Sequence, residues 1–230
     1  MSSTATRSVT VVDLGLRPYA EVWELQKQLV ERVAAGESGD VLLLCEHPAV
    51  ITLGRKATIE SDVLDAGRFP IFPVERGGEA THHAPGQIVG YPILYLEESE
   101  RDLHRVLRNL EEINIRALAR QGIEAGRRSG LTGVWVGDRK VTSVGLAVRK
   151  WVTYHGFALN VSNDVSGFDA IRPCGLTAEV MTSVEDLLGQ TVSLDAFRGD
   201  LIEAFEQVFA RPVRQGDLTG SGCSGPASAL

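Results

Sequence analysis

The sequence predicts an α+β fold on three grounds. Apolar residues recur at helical spacing in two long segments, a dense β-pattern fills 134–161, and nothing in the composition splits the chain. At 230 residues it makes one large domain or two small ones. With no internal repeat, one catalytic-sized domain over 1–214 is expected. A domain of that size buries roughly 70–75% of its unfolded surface. The hydrophobic share of 43% and the charged share of 23% exclude collagen-like, disordered and membrane-spanning classes. The longest aliphatic stretch, Val41-Leu42-Leu43-Leu44, falls far short of the ~20 residues that cross a bilayer. Met1 to Thr10 is polar and carries no apolar signal region.

The first helix is expected from Pro18, at its N1 position, through Val33, with Val22, Leu25, Leu29 and Val33 on one side. Val41 to Cys45 and Val50 to Leu53 read as short buried strands. A second helix is expected from about Ser99 to Gln121, capped by Ser99 with Asp102 at N3, and with Gly122 at C′. Its stripe is Leu103, Val106, Leu107, Leu110, Ile113 and Ala117. In 134–161, Gly137-Asp138 is a tight-turn dipeptide between strands. A short helix is expected from Thr182, with Glu185 completing a capping box, to Gly189. Leu194, Phe197, Leu201, Phe205 and Val208 mark the last helix. From Gln215 to Leu230 half of the sixteen residues are Gly, Ser or Pro, which predicts a disordered tail.

There are 23 basic and 30 acidic residues, a net charge of −7, and no basic run exceeds a pair such as Arg127-Arg128. Nonspecific nucleic-acid binding needs the opposite balance. The three cysteines, Cys45, Cys174 and Cys223, have no paired spacing, so neither a disulfide framework nor a zinc knuckle is predicted. A reducing, cytoplasmic compartment follows. Asn160-Val161-Ser162 matches a glycosylation acceptor only by chance in that setting.

Four islands interrupt the apolar segments. The first is Arg76-Gly77-Gly78-Glu79-Ala80-Thr81-His82-His83-Ala84-Pro85-Gly86-Gln87, whose glycines let backbone approach a ligand. Taken alone, a surface turn with solvated histidines is the commoner fate of such a stretch. Adjacent His82 and His83 diverge in an extended chain and make a poor metal pair. The second is Lys140, which strict alternation places with Thr142, Val144, Leu146 and Val148, leaving Arg139 with Val141 and Ser143. Burial there would favour its neutral form, although a snorkelling strand-end lysine is the commoner case. The third, His155-Gly156-Phe157-Ala158-Leu159-Asn160-Val161, carries a glycine inside a strand, the mark of a bulge or of close approach. The fourth is Arg172-Pro173-Cys174-Gly175. Cys45 looks like a buried apolar residue, whereas a loop cysteine beside an arginine can hold a reachable thiolate. Walker A, G-x-G-x-x-G, H-E-x-x-H and G-x-S-x-G patterns are absent from the sequence, which weakens nucleotide hydrolase, dehydrogenase, zincin and serine hydrolase readings.

In this order, the four islands resemble the lipoyl (octanoyl) transferase family, over roughly Thr10 to Pro212. Two positions depart from that pattern. His82 stands where the family often has Tyr or Phe, and Ala84 where it usually has Gly. The resemblance implies the fold of biotin- and lipoate-protein ligase catalytic domains, a mixed β-sheet with packed helices. It implies transfer of octanoyl from acyl carrier protein to a lysine of lipoyl domains, those of 2-oxoacid dehydrogenases and the glycine cleavage H protein. It makes Cys174 the nucleophile that becomes an acyl thioester, and Lys140 the group that lowers the thiol pKa and acts as base. It makes Arg76, Gly77, Gly78, Glu79, Ala80, Thr81, His82 and His83, with Ser143, Val144, Gly145, Gly156, Phe157 and Ala158, the substrate-binding residues that line the acyl pocket. No cofactor, metal, nucleic acid or membrane is implied, and a monomer is expected. Thioester exchange is near thermoneutral and aminolysis runs downhill, so the chemistry needs no ATP. The rival readings are an ATP-dependent lipoate or biotin ligase, an octanoyl amidotransferase between lipoyl-domain proteins, and a non-catalytic acyl-binding module. Acyl carriers and lipoyl domains are acidic, so Arg55-Lys56, Arg68, Arg76, Arg139, Arg149-Lys150 and Arg172 are expected to converge at the site mouth.

Overall fold

The computed structural model describes residues 7–172 and 178–217. In chain order the elements are β1 (Val9–Leu16), α1 (Tyr19–Ala34), β2 (Asp40–Glu46), β3 (Val50–Leu53), α2 (Ile59–Asp62), β4 (Ile71–Pro73), β5 (Ala80–His83) and β6 (Gln87–Ile93). There follow α3 (Leu103–Arg120), β7 (Gly126–Arg128), β8 (Leu131–Val136), β9 (Arg139–Arg149), β10 (Val152–Asn160), α4 (Val184–Leu188), α5 (Leu194–Phe209) and β11 (Val213–Gln215). Among the described residues the strands form an eight-stranded sheet, ordered β11-β1-β2-β6-β10-β9-β8-β7, and a three-stranded sheet, β4-β3-β5. β1 runs parallel to β2 and β11, and the large sheet is antiparallel from β2 onward, so it is mixed as expected.

Both faces of the large sheet are covered, which is why its central strands read as apolar runs rather than as alternation. Leu110, Ile113 and Ala117 of α3 and Phe197, Leu201 and Phe205 of α5 pack on one face against Leu44, Ile88 and Leu159. Val22, Leu29 and Val33 of α1 pack on the other against Leu43, Val89, Ile93 and Ala158. Every residue of β10 is buried. Two buried carboxylates tie the edges down. Asp40 pairs with Arg7 and Arg211, and Glu111 of α3 accepts from Arg108, Arg127 and the Gly133 N–H.

Several expected boundaries move by a few residues. Pro18 is the N-cap of α1 rather than N1, with φ −54° and ψ 136°. Asp102, accepting from the Arg105 N–H, caps α3; Ser99 belongs to a preceding 3-10 turn, so the helix starts at Leu103. Gly122 does hold the left-handed φ of 75° expected past the helix end. Ser183 caps α4 and Asp186 completes its capping box, one residue beyond the pair expected. The left-handed Gly189 closes it. Most of the expected disordered tail, 218–230, lies outside the described residues.

Candidate active site

One face of β6, β10 and β9 forms a floor of small side chains. Side chains alternate across a strand, so Val89 and Tyr91 share this face with Gly156 and Ala158, and Ser143 with Gly145. Ser143 pairs with Ala158 and Gly145 with Gly156 across the ladder. The segment between β4 and β5 crosses above this floor. The Gly77 N–H donates to the Leu146 carbonyl at 3.0 Å, and a Cβ on Gly145 would come within 2.9 Å of the Gly77 carbonyl. Glycine at 145 is what lets the two backbones meet. The space enclosed is a cleft of about 310 Å³.

The cleft gathers most of the residues expected from sequence. Its lining includes 76–81, His83, Lys140, 143–145 and 156–158. His82 is the exception and corrects the expectation. It packs away from the cleft, with ring centroids 4.6 Å from Phe69 and 5.5 Å from Phe168, and neither ring nitrogen has a hydrogen-bond partner. Its imidazole fills an aromatic's place, and burial pushes its pKa down to about 4. Ala84 is buried without a left-handed backbone, so its Cβ brings no strain there; that conformation falls on Gly86, with φ 88°. Cys174 lies outside the described residues.

Lys140 is 2% exposed, and its ammonium lies 5.8 Å from the Trp135 ring centroid. Strict alternation does not govern its neighbours. Trp135 pairs with Lys140 but Val134 pairs with Thr142, a bulge that interrupts the face pattern. The cleft lining takes Lys140 together with Val144 and Leu146 of the Thr142–Val148 row and with Ser143 and Gly145 of the other face. The residues after the 173–177 segment bind the same place. Met181 forms a bridge with Lys140, and the Thr182 N–H donates to the Lys140 carbonyl at 3.1 Å. Before that segment, Ile171 packs in one apolar cluster with Met181, and the Arg172 N–H donates to the Asp62 carbonyl.

Part of the cleft wall is built of rings. Tyr19 stacks on His83 with centroids 5.9 Å apart, and His47 meets His83 edge-on at 5.7 Å. Tyr91 sits beside them, its hydroxyl 2.8 Å from His47 Nε2. Burial holds His47 at a pKa of about 4 and His83 well below the usual range. Sequence reasoning missed Tyr19, Tyr91, Leu103, Leu107 and Leu131, all of which line the cleft. Leu103 and Leu107 read from sequence as part of the apolar stripe of α3, yet Leu103 is 40% exposed and faces the cleft instead of the core.

Comparison with known proteins agrees with this geometry. The family model for the lipoyl protein ligase A/B catalytic domain matches residues 18–206. An octanoyltransferase of Syntrophotalea carbinolica is 47% identical over 198 residues, covering 86% of this chain and 93% of the relative. One of Rubrobacter xylanophilus is 46% identical over 206 residues, covering 86% and 92%. Among solved structures, the bipartite lipoate protein ligase of Thermoplasma acidophilum superposes with a TM-score of 0.71 at 18% identity, over 94% of this chain and 88% of that one. The biotin protein ligase of Aquifex aeolicus gives a TM-score of 0.53 at 11% identity, over 87% and 70%. With a ligase-type fold, a cleft lined by the glycine-rich segment, and that identity across most of its length, the chain belongs to the octanoyltransferases of the lipoyl protein ligase A/B catalytic-domain family.

Proposed function

We propose that residues 1–214 act as one catalytic domain that moves an octanoyl group from acyl carrier protein to a lipoyl-domain lysine through a thioester on Cys174, with Lys140 as base. The observation that carries this reading is the buried Lys140 at the cleft, bonded through its backbone to the segment that follows Cys174. In the first half-reaction the Cys174 sulfur attacks the octanoyl carbonyl and the bond to the carrier's sulfur breaks. Lys140 takes the thiol proton and returns it to the departing carrier thiolate. In the second, the acceptor lysine sheds one proton to water and its nitrogen attacks the thioester. The C–S bond breaks, one of the two protons left on that nitrogen passes through Lys140 to the Cys174 sulfur, and the other stays on the amide. The cleft floor suits the chain. Ser143, Gly145, Gly156 and Ala158 line it with small side chains that leave room for an extended alkyl chain.

Acceptors of this kind are the lipoyl domains of 2-oxoacid dehydrogenases and the glycine cleavage H protein. The reaction takes no cofactor, and the enzyme works as a cytoplasmic monomer. Intact mass after incubation with octanoyl-acyl carrier protein, without ATP, tests the scheme. An octanoyl adduct is expected that hydroxylamine removes and that Cys174→Ser lacks, whereas Cys45→Ala and Cys223→Ala keep it. Transfer by a folded Cys174→Ala protein ends the covalent mechanism, and an absolute requirement for ATP moves the chain to the ligases. Octanoyl-lipoyl domain serving as the better donor would make it an amidotransferase.

A further inference from the structure

An alkyl chain has no hydrogen-bond donor, yet one wall of the cleft is a row of acceptors. Glu79, Thr81 and His83 stand two residues apart along an extended segment, so they share one face, and all three line the cleft. Thr81 is only 7% exposed and its Oγ1 has no partner; Glu79 Oε2 is likewise buried and unpartnered. Hydrocarbon packed beside these oxygens would leave both without a partner, whereas an N–H donor would satisfy them.

The polarity of His83 is fixed by a chain of amides. The backbone carbonyls of Thr182 and His82 can only accept. Asn160 Nδ2 therefore donates to the Thr182 carbonyl at 3.0 Å, while Gln87 Nε2 donates to the His82 carbonyl at 3.1 Å and to Asn160 Oδ1 at 2.8 Å. This turns Gln87 Oε1 toward His83 Nδ1, 2.7 Å away, which must carry the proton. Nε2 is left as a lone pair. The same logic applies to Tyr91. His47 Nδ1 donates to the Arg17 carbonyl at 2.7 Å, so its Nε2 accepts the Tyr91 proton and the Tyr91 oxygen keeps only lone pairs. A carboxylate, an imidazole lone pair and a phenol with its proton committed elsewhere together suit a ligand rich in N–H donors.

We propose that the Glu79–Thr81–His83 row, with Tyr91 beside it, is the track that receives the acceptor lysine's ammonium, while the small-residue floor takes the acyl chain. Gln87 and Asn160 are positioning residues that keep His83 Nε2 open to that lysine. The proposal rests on the thioester reading above and divides the site between its two substrates.

The two half-reactions are measured apart in single turnovers. Octanoyl-pantetheine loads the enzyme, followed by intact mass, and apo-lipoyl domain then discharges it. Thr81→Val and Glu79→Gln are expected to slow discharge at least tenfold more than they slow loading. Gln87→Met is expected to shift discharge in the same direction and to erase the Nδ1-protonated signature of His83 in nitrogen-15 NMR. Equal losses in both halves, a loss confined to loading, or no loss at all overturns the assignment. A wild-type protein that never loads overturns the thioester reading first, before any substitution is made.

Discussion

His155 holds φ 57° inside β10, a left-handed conformation that a side chain rarely adopts. What holds it is Gln26 of α1, whose Oε1 accepts from the His155 N–H at 2.8 Å, and Glu75, 3.4 Å from its Nε2 and bound in turn by Trp23 Nε1. Gln26 is fully buried. Gln26→Leu keeps its approximate size but strands the His155 N–H, at a cost of about 1–3 kcal/mol. Urea denaturation should show that loss, and a midpoint unchanged from wild type would mean that the Gln26 contact contributes nothing. His155 also borders Gly156 at the cleft, so the strain lies beside the site.

At the scale of elements, β9 separates two groups of cations that look alike in sequence. Nine residues at about 3.3 Å each put Arg149 roughly 30 Å from Lys140, and Arg149 and Lys150 both pair with Glu31 of α1. Lys56 instead lines the cleft, and Arg172 donates to the Ser61 carbonyl beside α2. Replacing Arg149 and Lys150 with alanine is therefore expected to leave the KM for a protein donor within twofold. Lys56→Glu should raise it severalfold, more at low salt than at high. Equal responses from both groups in a salt titration would refute the division. The long helices and the 134–161 strands were legible because their apolar periodicity is local. β5 was not: Ala80–His83 is polar, and it becomes a strand only because β3, thirty residues earlier, pairs with it at Val50 and His83. Lys140 was legible as a residue but not in its setting, because the bulge beside it depends on Trp135 across the ladder.

Across the whole molecule, burial leaves four histidines neutral: His47, His82 and His155 at pKa values of about 4, and His83 well below its usual range. Unfolded histidine takes up its proton near 6.5. Between pH 6.5 and about 4 the unfolded chain thus binds more protons than the native one. The stability these residues allow is complete above 6.5 and drains away as pH falls, by at most about 1.4 kcal/mol per unit for each. His82→Phe should flatten that slope in denaturation curves taken at pH 7, 6 and 5, since Phe69 and Phe168 already frame an aromatic site. A slope as steep as wild type would show that His82 does not contribute to it.

The pairing of β1 with β11 sets an order of events. Val9 waits for Val213, and until that partner arrives β1 has one flank bare. A growing chain therefore carries this open strand edge until residue 213 has emerged, and open edges invite pairing with other chains. Arg211, buried against Asp40 immediately before β11, is the latch that holds this short strand over the flank of β1. A protein stopped at Pro212 keeps every residue of the cleft yet should self-associate, visible as light scattering at concentrations where the chain through Asp217 stays clear. Asp40→Asn, which loosens the latch without removing the strand, should fall between the two.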